Sequence, residues 1–318
     1  MQAGFLSGII RRLERANDKI GKNPPLRKTA HGRGCRMTVF GRYLRQAALA
    51  SVTASAVMGA ALVPPAFAGK FQPHRAVYEL KLDSSQMSAD IADLSGRMVL
   101  EWTGNACTGY KLAQRLVMQV VTMDDIQVVR DLRFRSSEAA DGETFEFDFQ
   151  RFMNGEEVER IKGRASKEGT PAVHFEEPNA PDLTLAPETV FPSAFSLALV
   201  ETAEAGDTTY SRPIYEGAEV DTAFFASAFI GKSRGDDTTL EGVKMGEEAA
   251  KDMASQEWWR VQLSYHNPSR VDGVPEYQVA YHLYANGISS GLKMDYIDFK
   301  VDAGLSSLDY LPSEPCER

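Results

Sequence analysis

Ser289 is the centre of Gly287-Ile288-Ser289-Ser290-Gly291, a G-x-S-x-G run of the kind that carries the nucleophile of serine hydrolases. That chemistry needs a strand before the serine and a helix after it, so that the hydroxyl stands exposed on a sharp turn. Here the residues from Leu292 to Ala303 alternate in polarity, as a strand does. The pentapeptide therefore reads as a hairpin connection, with Gly287 and Gly291 supplying permissive backbone angles. A secreted serine hydrolase using Ser289 is the alternative reading of this segment.

Beyond residue 68 there are four histidines, His74, His174, His266 and His282. No two lie at ligand spacing, and there is neither an HExxH motif nor a Cys–His cluster. His266 and His282 are the pair that strand pairing could bring together. Carboxylates are plentiful, but no two are singled out as an acid–base pair. No glycine-rich phosphate loop occurs. No catalytic, cofactor-binding or metal residue is assigned, no cofactor is implied, and the chain reads as non-enzymatic.

The remaining chemistry is thiol chemistry, and it depends on the compartment. Met37 to Gly69 reads as a secretory signal peptide. Arg42 and Arg45 form a basic n-region, and Gln46–Val63 is an apolar run of mostly small residues. Pro64 and Pro65 precede Ala66-Phe67-Ala68, an A-x-A site placing cleavage between Ala68 and Gly69. This gives a start extension over 1–36 called too early, a signal peptide over 37–68 and a working domain over 69–318. The cleavage site argues against an uncleaved anchor, so the product is periplasmic and not an integral membrane protein. Removing residues 1–68 takes away 11 of 35 basic residues but only 2 of 44 acidic ones, leaving a formal net charge of −18. Such a surface repels phosphate backbones, which excludes nucleic acid as a partner.

Cys35 is lost with the leader, leaving Cys107 and Cys316. In an oxidising compartment they admit a single intramolecular disulfide; two free thiols or an intermolecular bridge are the alternatives. Cys107 lies in Asn105-Ala106-Cys107-Thr108-Gly109, which reads as a hairpin loop, and Cys316 lies near the C-terminus. A bond between them would close a very long loop and pin the tail to an N-terminal hairpin.

The elements that carry these residues are strands. Tyr78, Leu80 and Leu82 alternate with polar residues, as do Phe145, Phe147 and Phe149, then Trp259 to Tyr265, then Tyr277 to Leu283. This is the pattern of half-buried antiparallel strands. Further strands are expected at 96–103, 109–122, 126–137, 157–166, 209–215, 223–231 and 305–311. Near Tyr296–Ile297 the phase inverts, predicting a β-bulge or sharp bend in one long strand. The one helix expected is Pro192–Glu201, ending near Gly206. Glu176–Pro187 reads as a loop or crossover, and Gly231–Gln256 as a polar surface loop with part of it a short helix. The fold class is all-β with minor α. Aromatics at alternate strand positions fit either a filled core or a curved sheet with an apolar concave face.

Taken together, several landmarks resemble the EipB family, periplasmic cell-envelope integrity proteins of alphaproteobacteria. They are the export signal, His74-Arg75-Ala76-Val77-Tyr78, the Cys107 loop, Gly142-Glu143-Thr144-Phe145 and Phe191-Pro192. Tyr284-Ala285-Asn286-Gly287-Ile288 and the ending Leu311-Pro312-Ser313-Glu314-Pro315-Cys316 complete the set. The resemblance covers 70–318. It implies a single-domain, spiral-like open β-barrel, akin to the lipoprotein carriers LolA and LolB and closed by a disulfide that maps onto Cys107 and Cys316. It also implies a non-enzymatic role in envelope integrity under stress, with a periplasmic TPR-repeat protein as candidate partner. A lipid or lipoprotein acyl chain is the candidate ligand of the carrier alternative.

Overall fold

A computed structural model describes residues 71–84, 90–232, 237–296, 298–313 and 315–316. The signal segment and the Ala68/Gly69 junction lie outside the described residues.

The first half of the described chain is a ladder of neighbours. It runs through β1 (His74–Leu82), β2 (Ile91–Asn105), β3 (Gly109–Thr122), β4 (Gln127–Glu138) and β5 (Thr144–Met153). It continues through β6 (Glu156–Ser166), β7 (Ala172–Glu177) and the two-residue β8 (Leu183–Thr184). Helix α1 (Pro192–Glu204) then leads to β9 (Thr209–Ile214) and β10 (Phe224–Lys232). The second ladder is β12 (Trp258–His266), β13 (Tyr277–Tyr284), β14 (Ser289–Tyr296) and β15 (Phe299–Tyr310). Between β10 and β12 come a 3₁₀ turn (Thr238–Leu240), β11 (Lys244–Met245) and helix α2 (Glu247–Met253).

These strands form one sheet in the order β8-β7-β6-β5-β4-β3-β2-β1-β15-β14-β13-β12-β10-β9, antiparallel throughout that path. The first and last strands therefore sit side by side in the middle, with His74 opposite Tyr310 and Leu82 opposite Val301. The chain walks outward to β8, crosses at α1 to the other edge, and walks back. The sheet is not closed by a continuous ladder, and the crossover segment is bonded to its β9 edge. Val190 N–H donates to Pro213 O at 2.9 Å, and Tyr215 N–H donates to Val190 O at 3.2 Å. Register shifts at Val77/Tyr78, Arg151/Phe152, Lys162/Gly163 and Ala280/His282 add local twist, which curves so broad a sheet.

Alternation decides which face is covered. On β4, Arg130, Leu132, Phe134 and Glu138 point inward and are buried, while Asp131, Arg133 and Arg135 point outward. The outer face carries cross-strand ion pairs, including Arg115–Asp131 at 2.9 Å and Arg160–Asp148 at 2.8 Å. The inner face gathers the core, in which Tyr265 stacks on Tyr277 with centroids 4.4 Å apart and Phe145 on Phe191 at 5.2 Å. Helix α1 forms where expected and runs three residues longer. Phe195, Leu197, Leu199, Val200 and Ala203 are all buried, so the helix is enclosed on more than one side.

Three expectations need correction. The phase inversion at Tyr296 is a chain reversal and not a bend within one strand. β14 ends at Tyr296, β15 starts at Phe299, and these two residues face each other across the hairpin; Ile297 itself lies outside the described residues. The stretch read as a loop contains the two-residue β8 and the last two residues of β7, a strand whose Val173 and Phe175 alternate inward over a length too short to stand out. The segment after β10 holds the expected short helix, α2, but over its described part it is docked on the sheet and not a free loop. Ala249 and Met253 are buried, β11 pairs in parallel with β15, and Tyr310 donates to Asp252 Oδ2 at 2.6 Å.

Candidate functional site

Cys107 and Cys316 are joined by a disulfide, with Cα atoms 5.6 Å apart. The loop that presents Cys107 is shaped locally. Asn105 Oδ1 accepts the Cys107 N–H at 2.8 Å and the Thr108 N–H at 3.0 Å, an Asx-type turn between β2 and β3. The tail beyond β15 thus crosses β1 and is fastened to the β2–β3 turn.

The same end of the sheet holds the crossover helix. Glu138, the last residue of β4, is buried and accepts N–H bonds from Ser193 at 2.7 Å and Ala194 at 2.9 Å. A carboxylate there satisfies two orphan donors of α1 and complements its dipole. Burial is the largest influence on this carboxyl and pushes it up to about 7, against the two amide bonds and the charge of Lys167. Beside it, Tyr110, Val190, Ala194, Leu197 and Tyr210 enclose a mostly apolar pocket of about 240 Å³. Glu138 was legible in principle, since its parity on β4 matches Leu132 and Phe134.

Ser289 occupies the first position of β14. It is buried, and its Oγ has no hydrogen-bond partner among the described residues; its carbonyl accepts the Tyr78 hydroxyl at 2.7 Å. Strand β14 follows it, not a helix, as the hairpin reading requires. Gly287 has φ +83°, and a Cβ there would lie 2.2 Å from Phe71 Cδ1. Gly291 has φ +58°, and its Cβ would lie 2.6 Å from Thr239 Cγ2. Both glycines are thus explained by turn geometry and close packing.

The neighbouring Ser290 belongs to a polar knot that sequence reasoning missed. Its Oγ lies 2.5 Å from Thr239 Oγ1 and donates to Asp237 Oδ2 at 3.2 Å. Tyr284 donates its hydroxyl to the same Asp237 oxygen, and His282 Nδ1 lies 2.8 Å from Asp237 Oδ1. Burial pushes the Asp237 carboxyl up, but the hydroxyls of Tyr284 and Thr239 outweigh it and hold it below its usual value. The serine bonds the acid and not the imidazole, so the geometry anchors residues 237–240 on β13–β14 and gives no serine a histidine base. His282 stands opposite Arg260 in the β12–β13 register, and His266 lies six positions further along β12, so strand pairing separates these histidines. Among the described residues no cluster of three or more histidine, cysteine or carboxylate groups could hold a metal ion.

What remains is the inner face, apolar and aromatic, flanked by the α1 pocket. The groove of about 600 Å³ outside β2–β7 is lined by Lys111, Arg135, Glu146 and Lys162, charged residues on a wet face. No helix among the described residues is long and apolar enough to cross a membrane.

Known proteins share this architecture. The EipB-like family model matches residues 65–312. A Brucella abortus (strain 2308) protein named cell envelope integrity protein EipB is 34% identical over 276 residues, covering 84% of this chain and 95% of that one. A crystal structure of a β-barrel-like protein from Brucella abortus, described as a domain of unknown function, superposes with a TM-score of 0.70 at 31% identity. It covers 77% of this chain and 100% of the other. On a match that spans nearly all of the sheet, the chain belongs to the EipB-like family.

Proposed function

We propose that this chain acts in the periplasm, after loss of residues 1–68, as a non-enzymatic protein of envelope integrity that holds an apolar ligand against its inner face. The observation that carries this reading is the aromatic inner face of an open sheet, continued by the apolar pocket of about 240 Å³ beside α1. An apolar site with a few polar groups is the usual form of a small-molecule pocket. The relative from Brucella abortus named for cell envelope integrity supports the setting. A lipid or lipoprotein carrier is the second reading, favoured by the lack of a continuous ladder between β8 and β9. An acyl chain could enter and leave such a sheet without unfolding it.

Native mass spectrometry of protein purified from the periplasm tests this, together with fluorescence uptake of N-phenyl-1-naphthylamine. Co-purifying acyl species and saturable uptake are expected. Protein that carries no ligand and takes up no probe would overturn the ligand, leaving protein–protein binding as the mode of action.

A further inference from the structure

At the end of the sheet opposite α1, the inner face carries a cation that no carboxylate among the described residues pairs with. Arg130 lies on the inward side of β4 with Leu132 and Phe134, and is 7% exposed. Its Nε and Nη1 are buried without a hydrogen-bond partner among the described residues. Its cross-strand neighbours are Met118 on β3 and Met153 on β5, neither of which offers a carboxylate. Among the described residues the charge that acts on it is another cation, Arg151. Arg151 is held by Glu159 at 3.0 Å on β6. Arg151 thus brings no negative charge to Arg130, which stands at a buried, inward position of β4. Burial, and secondarily Arg151, pull the Arg130 guanidinium down to about 10. Buried charges are ordinarily paired, because leaving one unpaired costs several kcal/mol. A guanidinium fork in such a position is built for a planar or tetrahedral oxyanion.

The surroundings indicate what brings that anion. The hairpin tips next to Arg130 expose Met123, Ile126, Val129 and Val158. Those tips are tied together, since Val129 N–H donates to Asn154 Oδ1 at 2.9 Å. From Arg130 the inner face of β4 runs eight residues to Glu138, about 26 Å at the rise of a strand. That exceeds the roughly 15 Å that one lipid chain occupies in a bilayer leaflet. The chain as a whole is acidic, which disfavours a free anion and favours one carried in by an apolar tail.

We propose that Arg130 binds the anionic head group, carboxylate or phosphate, of an amphiphile whose chain lies along the inner face toward α1. This rests on the apolar-ligand reading above and adds to it a head group and a direction.

Displacement of bound N-phenyl-1-naphthylamine from the purified protein tests it. The competitors are palmitate, palmitoyl lysophosphatidic acid and the neutral monopalmitoylglycerol. The wild type is expected to prefer at least one anionic lipid over the neutral one by about tenfold or more. Arg130→Gln and Arg130→Met should bring that ratio to within about twofold while leaving monopalmitoylglycerol unchanged. Both variants should melt no lower than wild type, because an unpaired buried charge is removed. A preference that survives in both variants, or no preference in wild type, would overturn the head-group site and leave the apolar ligand standing. Failure of the wild type to bind the probe would instead overturn the apolar ligand and the site with it. Inorganic phosphate that competes with palmitate better than chloride at equal ionic strength would assign the site to a free anion and reject the amphiphile.

Discussion

Glu138 and Ser193 are 55 positions apart, yet the Glu138 carboxylate accepts the Ser193 N–H at 2.7 Å and so fastens the end of β4 to the start of α1. Because burial raises this carboxyl from 4.5 to about 7, the folded protein holds a proton that the unfolded chain releases across that window. The folded state then binds more protons than the unfolded one, so stability falls as pH rises from 4.5 toward 7, by roughly 3 kcal/mol at most. Glu216, which burial pushes up to about 8, adds a slope of the same sign. Glu138→Gln should flatten the window by its own share, and urea titrations of both proteins between pH 4.5 and 8 check it. Equal slopes would show that Glu138 does not titrate there.

The Cys107–Cys316 bond closes a loop of 209 positions. Chain entropy alone assigns such a cross-link roughly 5 kcal/mol, although delivered values are often smaller. Cys107→Ser with Cys316→Ser should lower the melting temperature, and reductant should lower that of wild type by the same amount while leaving the double variant unchanged. Identical melting curves for all three samples would reject a stabilising staple.

Two adjacent serines should behave in opposite ways. Ser289 buries a hydroxyl without a partner, so Ser289→Ala should be neutral or slightly stabilising. Ser290→Ala removes contacts to Thr239 and Asp237 and should cost about 1–2 kcal/mol. Amide exchange should accelerate at 237–240 in the second variant alone. Equal protection in both would mean the knot does not hold that segment.

Gly287→Ala should destabilise by about 1–3 kcal/mol, since it places a Cβ into the Phe71 ring at a positive φ. Gly142 also has a positive φ, but a Cβ there would meet nothing within 4 Å, so Gly142→Ala should cost less. Chemical denaturation of the two variants compares them, and a Gly142→Ala penalty equal to that of Gly287→Ala would show that the Phe71 contact adds nothing.

Period-two alternation located most of the sheet because most strands have one wet and one dry face. β3 spans the expected 109–122 for this reason. The ladder order was not written in any strand, since the β1–β15 seam depends on residues more than two hundred positions apart. Tyr296 and Phe299 looked like one bent strand because a tight reversal and a bulge produce the same phase shift. Arg130 carried a readable signal, a charge at the parity of Leu132 and Phe134. What could not be read was that no carboxylate would face it, which depends on the residues opposite. The Asp237 knot was hidden for a similar reason, as its acid comes from a connecting segment and its other members from a hairpin.

Pairing the first strand with the last has a consequence for the order of events in a newly made chain. Each wing of the sheet is a run of mostly neighbouring hairpins that can zip locally as residues appear. The seam between β1 and β15 cannot be completed until Tyr310 has been delivered, and the cross-link from Cys107 must wait for Cys316. The middle of the finished molecule is thus the last part to be built. Until then, β1 presents one open edge, the edge that β15 covers in the finished sheet.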